Sequence, residues 1–208
     1  MRFILKRDMR SRLFLLLSAV VFTGFFACES EVTEEGDGFF NEGRYSEAIE
    51  SYTEYLATRP KDIKTLYNRG RAFEELGQVE KAKTDFIGVL NIQPNNVNAN
   101  LSMGKYWYNK KSYSRAINFF DKVIEVDGRV VDAYLLKGRS YHQQGDFENA
   151  MVNYNQAIDF DRQNEEAFLY RGALKVALNQ KKGACSDLRR AKGLGSKDAD
   201  AAIAKHCM

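Results

Sequence analysis

The same small and aromatic residues return every 34 positions along this chain. Ala48, Ala82, Ala116, Ala150 and Ala184 form one column, and Tyr52, Phe86, Phe120, Tyr154 and Leu188 form a second. A third, Gly36, Gly70, Gly104, Gly138 and Gly172, is followed three residues on by Phe39, Phe73, Trp107, Tyr141 and Lys175. Five units fill residues 29–198 without an insertion. A period of this size belongs to arrays in which each unit buries its apolar face against the next, because one unit alone cannot bury it.

Within a unit, as in NRGRAFEELGQVEKAKTDFIGVL, two apolar patterns of helical period flank a short break. Gly77 and Gly145 stand at that break, where a positive φ ends one helix and frees the next to start. Glycine and alanine let the two helices approach closely, and the aromatic columns fill the space left. Helices of about 12–14 residues are marginal alone in water, so stacking must supply the stability. Only 2 prolines in 208 residues fit a mostly helical chain.

The columns resemble the tetratricopeptide repeat, and the resemblance covers repeats 29–62, 63–96, 97–130, 131–164 and 165–198. Repeat 2 carries the pattern through Leu66, Gly70, Phe73, Ala82, Phe86, Val89 and Pro94. Repeat 4 carries it through Tyr134, Gly138, Tyr141, Ala150, Tyr154 and Ala157, with Arg162 in place of proline. Repeat 3 has Asn100, Lys111 and Gly128 at landmarks, and Glu35 stands at an apolar position of repeat 1. Repeat 5 departs most, at Lys175, Asn179 and Gly183. The resemblance implies an all-α, right-handed superhelical solenoid of five helix pairs. A capping helix is expected over 198–207, with Asp198 as N-cap and Ala201, Ile203 and Ala204 on or near its apolar side.

The N-terminus reads as an address rather than as part of this fold. Arg2, Lys6, Arg7, Arg10 and Arg12 precede LFLLLSAVVFTGFFA at 13–27, the pattern of a secretory signal. As a helix that stretch would span roughly 22 Å, short of a hydrocarbon core of about 30 Å. With Cys28 directly after it, the segment resembles the lipobox of bacterial lipoproteins: Ala27 fits, while Phe25 and Phe26 depart from the usual leucine and small residue. The resemblance implies a signal peptide over 1–27, acylation of Cys28, and a mature domain over 28–208 tethered to the cell envelope. More than one acyl chain makes such attachment durable. Glu29, Glu31, Glu34 and Glu35 resemble the surface-export signals of some Gram-negative lipoproteins, so the periplasmic and outward faces of the outer membrane both stay open. Met9 is a second possible start.

The formal charge of +3 comes from the signal; without residues 1–27 there are 26 basic and 27 acidic residues. A near-neutral body argues against a nucleic-acid partner, which needs clustered surplus positive charge. In an oxidising envelope compartment Cys185 and Cys207 read as a disulfide, the alternative being two unpaired small apolar core residues. His142 and His206 are the only histidines, and no pattern of zinc-ligand spacing is present. GLGS at 193–196 lacks the lysine of a phosphate loop. The paired acids Glu165 and Glu166 suit a helix start. Neither a catalytic set, a metal, a cofactor nor a small-molecule substrate is therefore expected.

The resemblance also implies a concave partner surface lined by the first helix of each repeat. Its inner positions fall on Tyr67, Leu101, Leu135 and Leu169, on Asp37, Arg71, Lys105, Arg139 and Ala173, and on Phe40, Glu74, Tyr108, His142 and Val176. An apolar floor beside Arg71, Lys105 and Arg139 would suit a peptide or helix with apolar anchors and acidic groups. The carboxylate clamp of chaperone-binding relatives is not reproduced, since Tyr67 and Arg71 stand where Lys and Asn would be wanted. The expected function is a non-catalytic scaffold or adaptor at the envelope. The alternatives are a component of an outer-membrane, pilus or secretion assembly machinery, and a self-associating structural module.

Overall fold

A computed structural model describes residues 33–207, and all regular structure among them is helical. Residues 33–41 form α1. Ten further helices follow: α2 (Tyr45–Thr58), α3 (Ile63–Glu75), α4 (Val79–Ile92), α5 (Val97–Asn109), α6 (Tyr113–Val126), α7 (Val131–Gln144), α8 (Phe147–Phe160), α9 (Glu165–Ala177), α10 (Lys181–Gly193) and α11 (Asp198–His206). The expected signal segment at 1–27 and Cys28 lie outside the described residues. The chain divides at Gly88, inside α4, into two compact units.

In the first unit the glycine and aromatic columns meet face to face. A Cβ on Gly70 would stand 2.7 Å from the Phe86 ring, so only glycine lets α3 approach α4 this closely. Tyr52 and Phe86 are each 1% exposed, with Ala48, Ala72 and Ala82 packed beside them. Asp62 caps α3 by accepting from the Thr65 amide at 2.8 Å, which satisfies an orphan donor of the first turn. Gly77 closes α3 with φ +70°. Arg69 makes an unforeseen link: its Nε and Nη2 donate to the two oxygens of buried Asp85 at 2.8 and 2.7 Å, and its Nη1 reaches Thr53 Oγ1 at 3.2 Å. One guanidinium thus ties α3 to both α4 and α2.

The second unit repeats these devices with different residues. The helix-ending positive φ falls to Lys111 (+57°), Gly145 (+78°) and Asn179 (+57°). Asn179 suits that conformation, whereas Lys111 adopts it against the preference of a side chain with a Cβ. Asn96 and Asn164 cap α5 and α9 through the Ala99 and Ala167 amides, while Val130 leaves α7 without a side-chain cap. Where proline is missing, an aspartate turn takes over. Asp127 Oδ1 accepts from the Arg129 amide at 2.9 Å and Asp161 Oδ1 from the Gln163 amide at 2.8 Å. These aspartate turns offer the backbone a local partner just past the helix end.

The irregular residues of repeat 5 belong together. Arg171 grips Asp187 through two hydrogen bonds of 2.8 and 2.7 Å and reaches Asn155 at 2.8 Å, repeating the Arg69 arrangement. Lys175 replaces the aromatic and donates to Asp187 at 2.7 Å. A Cβ on Gly183 would lie 3.3 Å from Lys175 Cδ, so the glycine leaves room for the lysine stem. At the repeat 4 position equivalent to Arg171, Lys137 pairs with Asp121, the counterpart of Asn155, at 2.6 Å.

The capping helix forms, one residue out of the expected frame. Lys197 is its N-cap, already helical at φ −70° and ψ −30°, so Asp198 contributes first-turn charge and caps nothing. The turn through Gly195, at φ +108°, returns the chain early enough for that to happen. The face turned inward is consequently Ala199, with Ala202 and Ile203 partly covered; Ala201 and Ala204 are exposed. Cys185 and Cys207 are joined by a disulfide with a Cα–Cα separation of 5.5 Å, which ties the end of α11 to α10.

Candidate partner-binding face

In the first unit, α1 and α3 bring Asp37, Tyr67 and Arg71 to one cavity of about 290 Å³, with Phe40, Asn41, Tyr52 and Asn68 completing its lining. The Asp37 carboxylate accepts from Tyr52 Oη at 2.7 Å, Asn68 Nδ2 at 2.8 Å and Lys64 Nζ at 2.8 Å. Partial burial works to raise its pKa, but the bonds from Lys64, Tyr52 and Asn68 together hold it below the ordinary aspartate value. Burial and the neighbouring Asp37 charge push the Tyr52 hydroxyl well above its ordinary value. Arg71 turns back along its own helix to Glu74 at 3.2 Å and Glu75 at 3.6 Å. Tyr67 is half-buried and tilts against Phe86 at 5.7 Å between centroids.

In the second unit, α5, α7 and α9 place Tyr108, Arg139 and Tyr170 together. The Arg139 guanidinium lies 5.2 Å from the Tyr108 ring centroid and 4.3 Å from that of Tyr170, so an aromatic ring flanks it from each neighbouring helix. Such cation–π contacts hold a guanidinium while leaving its N–H edge available. Tyr170 in turn stacks on Tyr154 at 6.4 Å. His142 Nδ1 lies 3.3 Å from Tyr154 Oη, and its ring meets Phe147 edge-on at 5.6 Å. Burial lowers the His142 pKa, so the ring is neutral near pH 7.

The expected floor and basic strip look different once the side chains are placed. Leu135 is 3% exposed and belongs to the core, while Leu101 is half-buried against the Ala116–Phe120 cluster. Lys105 pairs with Asp132 at 3.6 Å. Arg71 and Lys105 therefore both face carboxylates, and Arg139 faces tyrosines. Sequence reasoning missed Tyr170, because its column holds Asn68, Ser102 and Leu136 in the other repeats and shows no period. Among the described residues no group of three His, Cys, Asp or Glu side chains is arranged to hold a metal ion. No described helix is long and apolar enough to cross a membrane.

Comparison with known proteins agrees with the helical-repeat fold. A family pattern described as a tetratricopeptide repeat matches residues 33–87, and one described as a TPR repeat matches residues 138–179. Hsp70-Hsp90 organizing protein 3 of Arabidopsis thaliana is 34% identical over 55 residues, 26% of this chain. Outer dynein arm-docking complex subunit 4 of Danio rerio is 42% identical over 48 residues, 23% of this chain. The matches span only 10% of either relative's length. Among solved structures, MamA (41-end) from Desulfovibrio magneticus RS-1 superposes with a TM-score of 0.74 at 23% identity, covering 80% of this chain and 94% of that one. PilW, a type IV pilus biogenesis factor, gives 0.72 at 20% identity, covering 80% and 77%. At these identities the likeness establishes the fold.

Proposed function

Because the chain is a tetratricopeptide-repeat protein, we propose that it works as a non-catalytic scaffold that binds a polypeptide partner on the inner face of its first-helix series, tethered to the bacterial cell envelope through Cys28. The observation that carries this reading is the Tyr108–Arg139–Tyr170 cluster. Three successive first helices contribute one residue each to a half-buried, aromatic-flanked cation. Tyr and Arg are among the residue types enriched where interface energy concentrates. Arg139 has no carboxylate partner among the described residues, so a partner's acidic group can supply one. Ala173, exposed at the next position of its column, leaves the approach open on the α9 side.

The test is photo-crosslinking in intact cells from a probe at Ala173, with a second probe on the exposed α8 residue Gln156 as control. Recovery of one protein from the first site, lost in Arg139→Ala, supports the scaffold; equal recovery from both sites refutes it. The anchor is tested by Cys28→Ser, which should move the chain from the membrane to the soluble fraction. PilW shares the fold and is a pilus biogenesis factor, which favours an envelope-assembly role as the second reading. Capture of a pilus or secretion component at Ala173 would select it.

A further inference from the structure

We infer that the α1–α3 cavity of the first unit is a binding site for the guanidinium group of an arginine side chain in a partner polypeptide, with Asp37 as its counter-ion. This deepens the scaffold reading and rests on it only in taking the partner to be a polypeptide. The expectation for this end of the inner face is an acidic partner drawn by Arg71. The side chains point the other way. Arg71 lines the same cavity, but its guanidinium is engaged by Glu74 and Glu75, and the carboxylate in the lining is that of Asp37, held by Tyr52 and Asn68.

The geometry suits a planar cation. At about 290 Å³ the cavity is near the small end of ligand sites, the scale of one long side chain. Phe40 and Tyr67 are among its walls, and aromatic faces favour a flat guanidinium over a compact, strongly hydrated ammonium. Asn68 spends its Nδ2 on Asp37 at 2.8 Å, so its Oδ1 offers an acceptor to a further N–H. The cation already paired with Asp37 is Lys64, whose side chain is 68% exposed. An ion pair so open to water holds weakly, so Lys64 is a competitor that an incoming arginine can displace.

The measurement is a titration of the full chain, labelled with 15N-asparagine in detergent, with the Asn68 side-chain amide as reporter. Three capped tripeptides, Ac-Gly-Xaa-Gly-NH2 with arginine, citrulline or glutamate at the centre, are the probes, together with free arginine. The expected result is a saturable Asn68 shift with the arginine tripeptide only, weakened at least tenfold in Asp37→Asn and tightened at least threefold in Lys64→Ala. The gain in Lys64→Ala is decisive, because a purely structural Asp37–Lys64 pair would not produce it. An equal response to citrulline, no saturable response in either the unaltered chain or Lys64→Ala, or saturation by free arginine with none by the tripeptide would overturn the inference. Crosslinking from Ala173 reads the other unit, so either proposal can fail while the other stands.

Discussion

Replacing Asp187 with alanine should be among the most damaging single changes in the second unit. Its carboxylate accepts from Arg171 Nε at 2.8 Å, Arg171 Nη2 at 2.7 Å and Lys175 Nζ at 2.7 Å. The Asp187 side chain is 7% exposed, with Arg171 at 17% and Lys175 at 19%. Truncation therefore strands two cations where water reaches them poorly. Breaking a buried pair from one side costs about 3–5 kcal/mol; the residual exposure of both cations places this case near 3 kcal/mol. With a urea dependence of about 2 kcal/mol per molar, the unfolding midpoint, followed by far-UV circular dichroism with the disulfide intact, should fall by about 1.5 M. Asp132→Ala, which removes the exposed pair with Lys105, serves as the internal scale and should cost at most about 1 kcal/mol. The combined change Arg171→Met, Lys175→Met, Asp187→Leu should recover most of the loss, since a matched apolar set leaves no charge unpaired. Equal midpoints for Asp187→Ala and Asp132→Ala would refute the reasoning.

Lys111→Gly should raise stability by about 0.5–1 kcal/mol in the same assay, because the native φ of +57° suits glycine and strains lysine; Gly77→Ala, at φ +70°, should lower it by a similar amount. Reducing the Cys185–Cys207 bridge, which spans a separation of 22 residues, should cost about 3 kcal/mol in the loop-entropy treatment, and hydrogen exchange should show α11 opening before α10. The folded-state pKa values of Asp37 and Asp187 are both depressed. Their stabilisation is therefore complete above the ordinary aspartate range and is lost as pH falls through the lowered values. His142 is depressed too, so its contribution is complete above its ordinary value of 6.5 and declines as pH drops below it. Midpoints across pH 3–8 should accordingly fall in two stages, and His142→Gln should remove only the upper one.

The architecture was legible because its causes recur. A Gly70-type contact works only with glycine on one helix and a ring on the other, so the requirement prints itself into the chain every 34 residues. Helix ends were legible for the same reason, through Gly77 and Gly145. The departures were not. Lys175, Asn179 and Gly183 break the pattern singly, yet in space Asn179 takes up the positive φ, while Gly183 makes room for a lysine that answers Asp187. Only folding brings α9 and α10 together so that the exception becomes a pair. The first helices of the repeats show the same division. Their column positions follow from periodicity, but charge and access depend on which neighbour each side chain finds. Arg71 finds Glu74 and Glu75, Arg139 finds Tyr108 and Tyr170, Leu135 finds the core, and Asp37 is left facing the cavity. Repetition of sequence thus determined which residues pack between paired helices and where the helices end, because helical period and close packing are local demands. What Arg139, Leu135 and Asp37 can bind was decided by tertiary contact, since a charge acts through the groups around it and theirs come from other helices, whereas Arg71 meets its carboxylates one turn along its own helix.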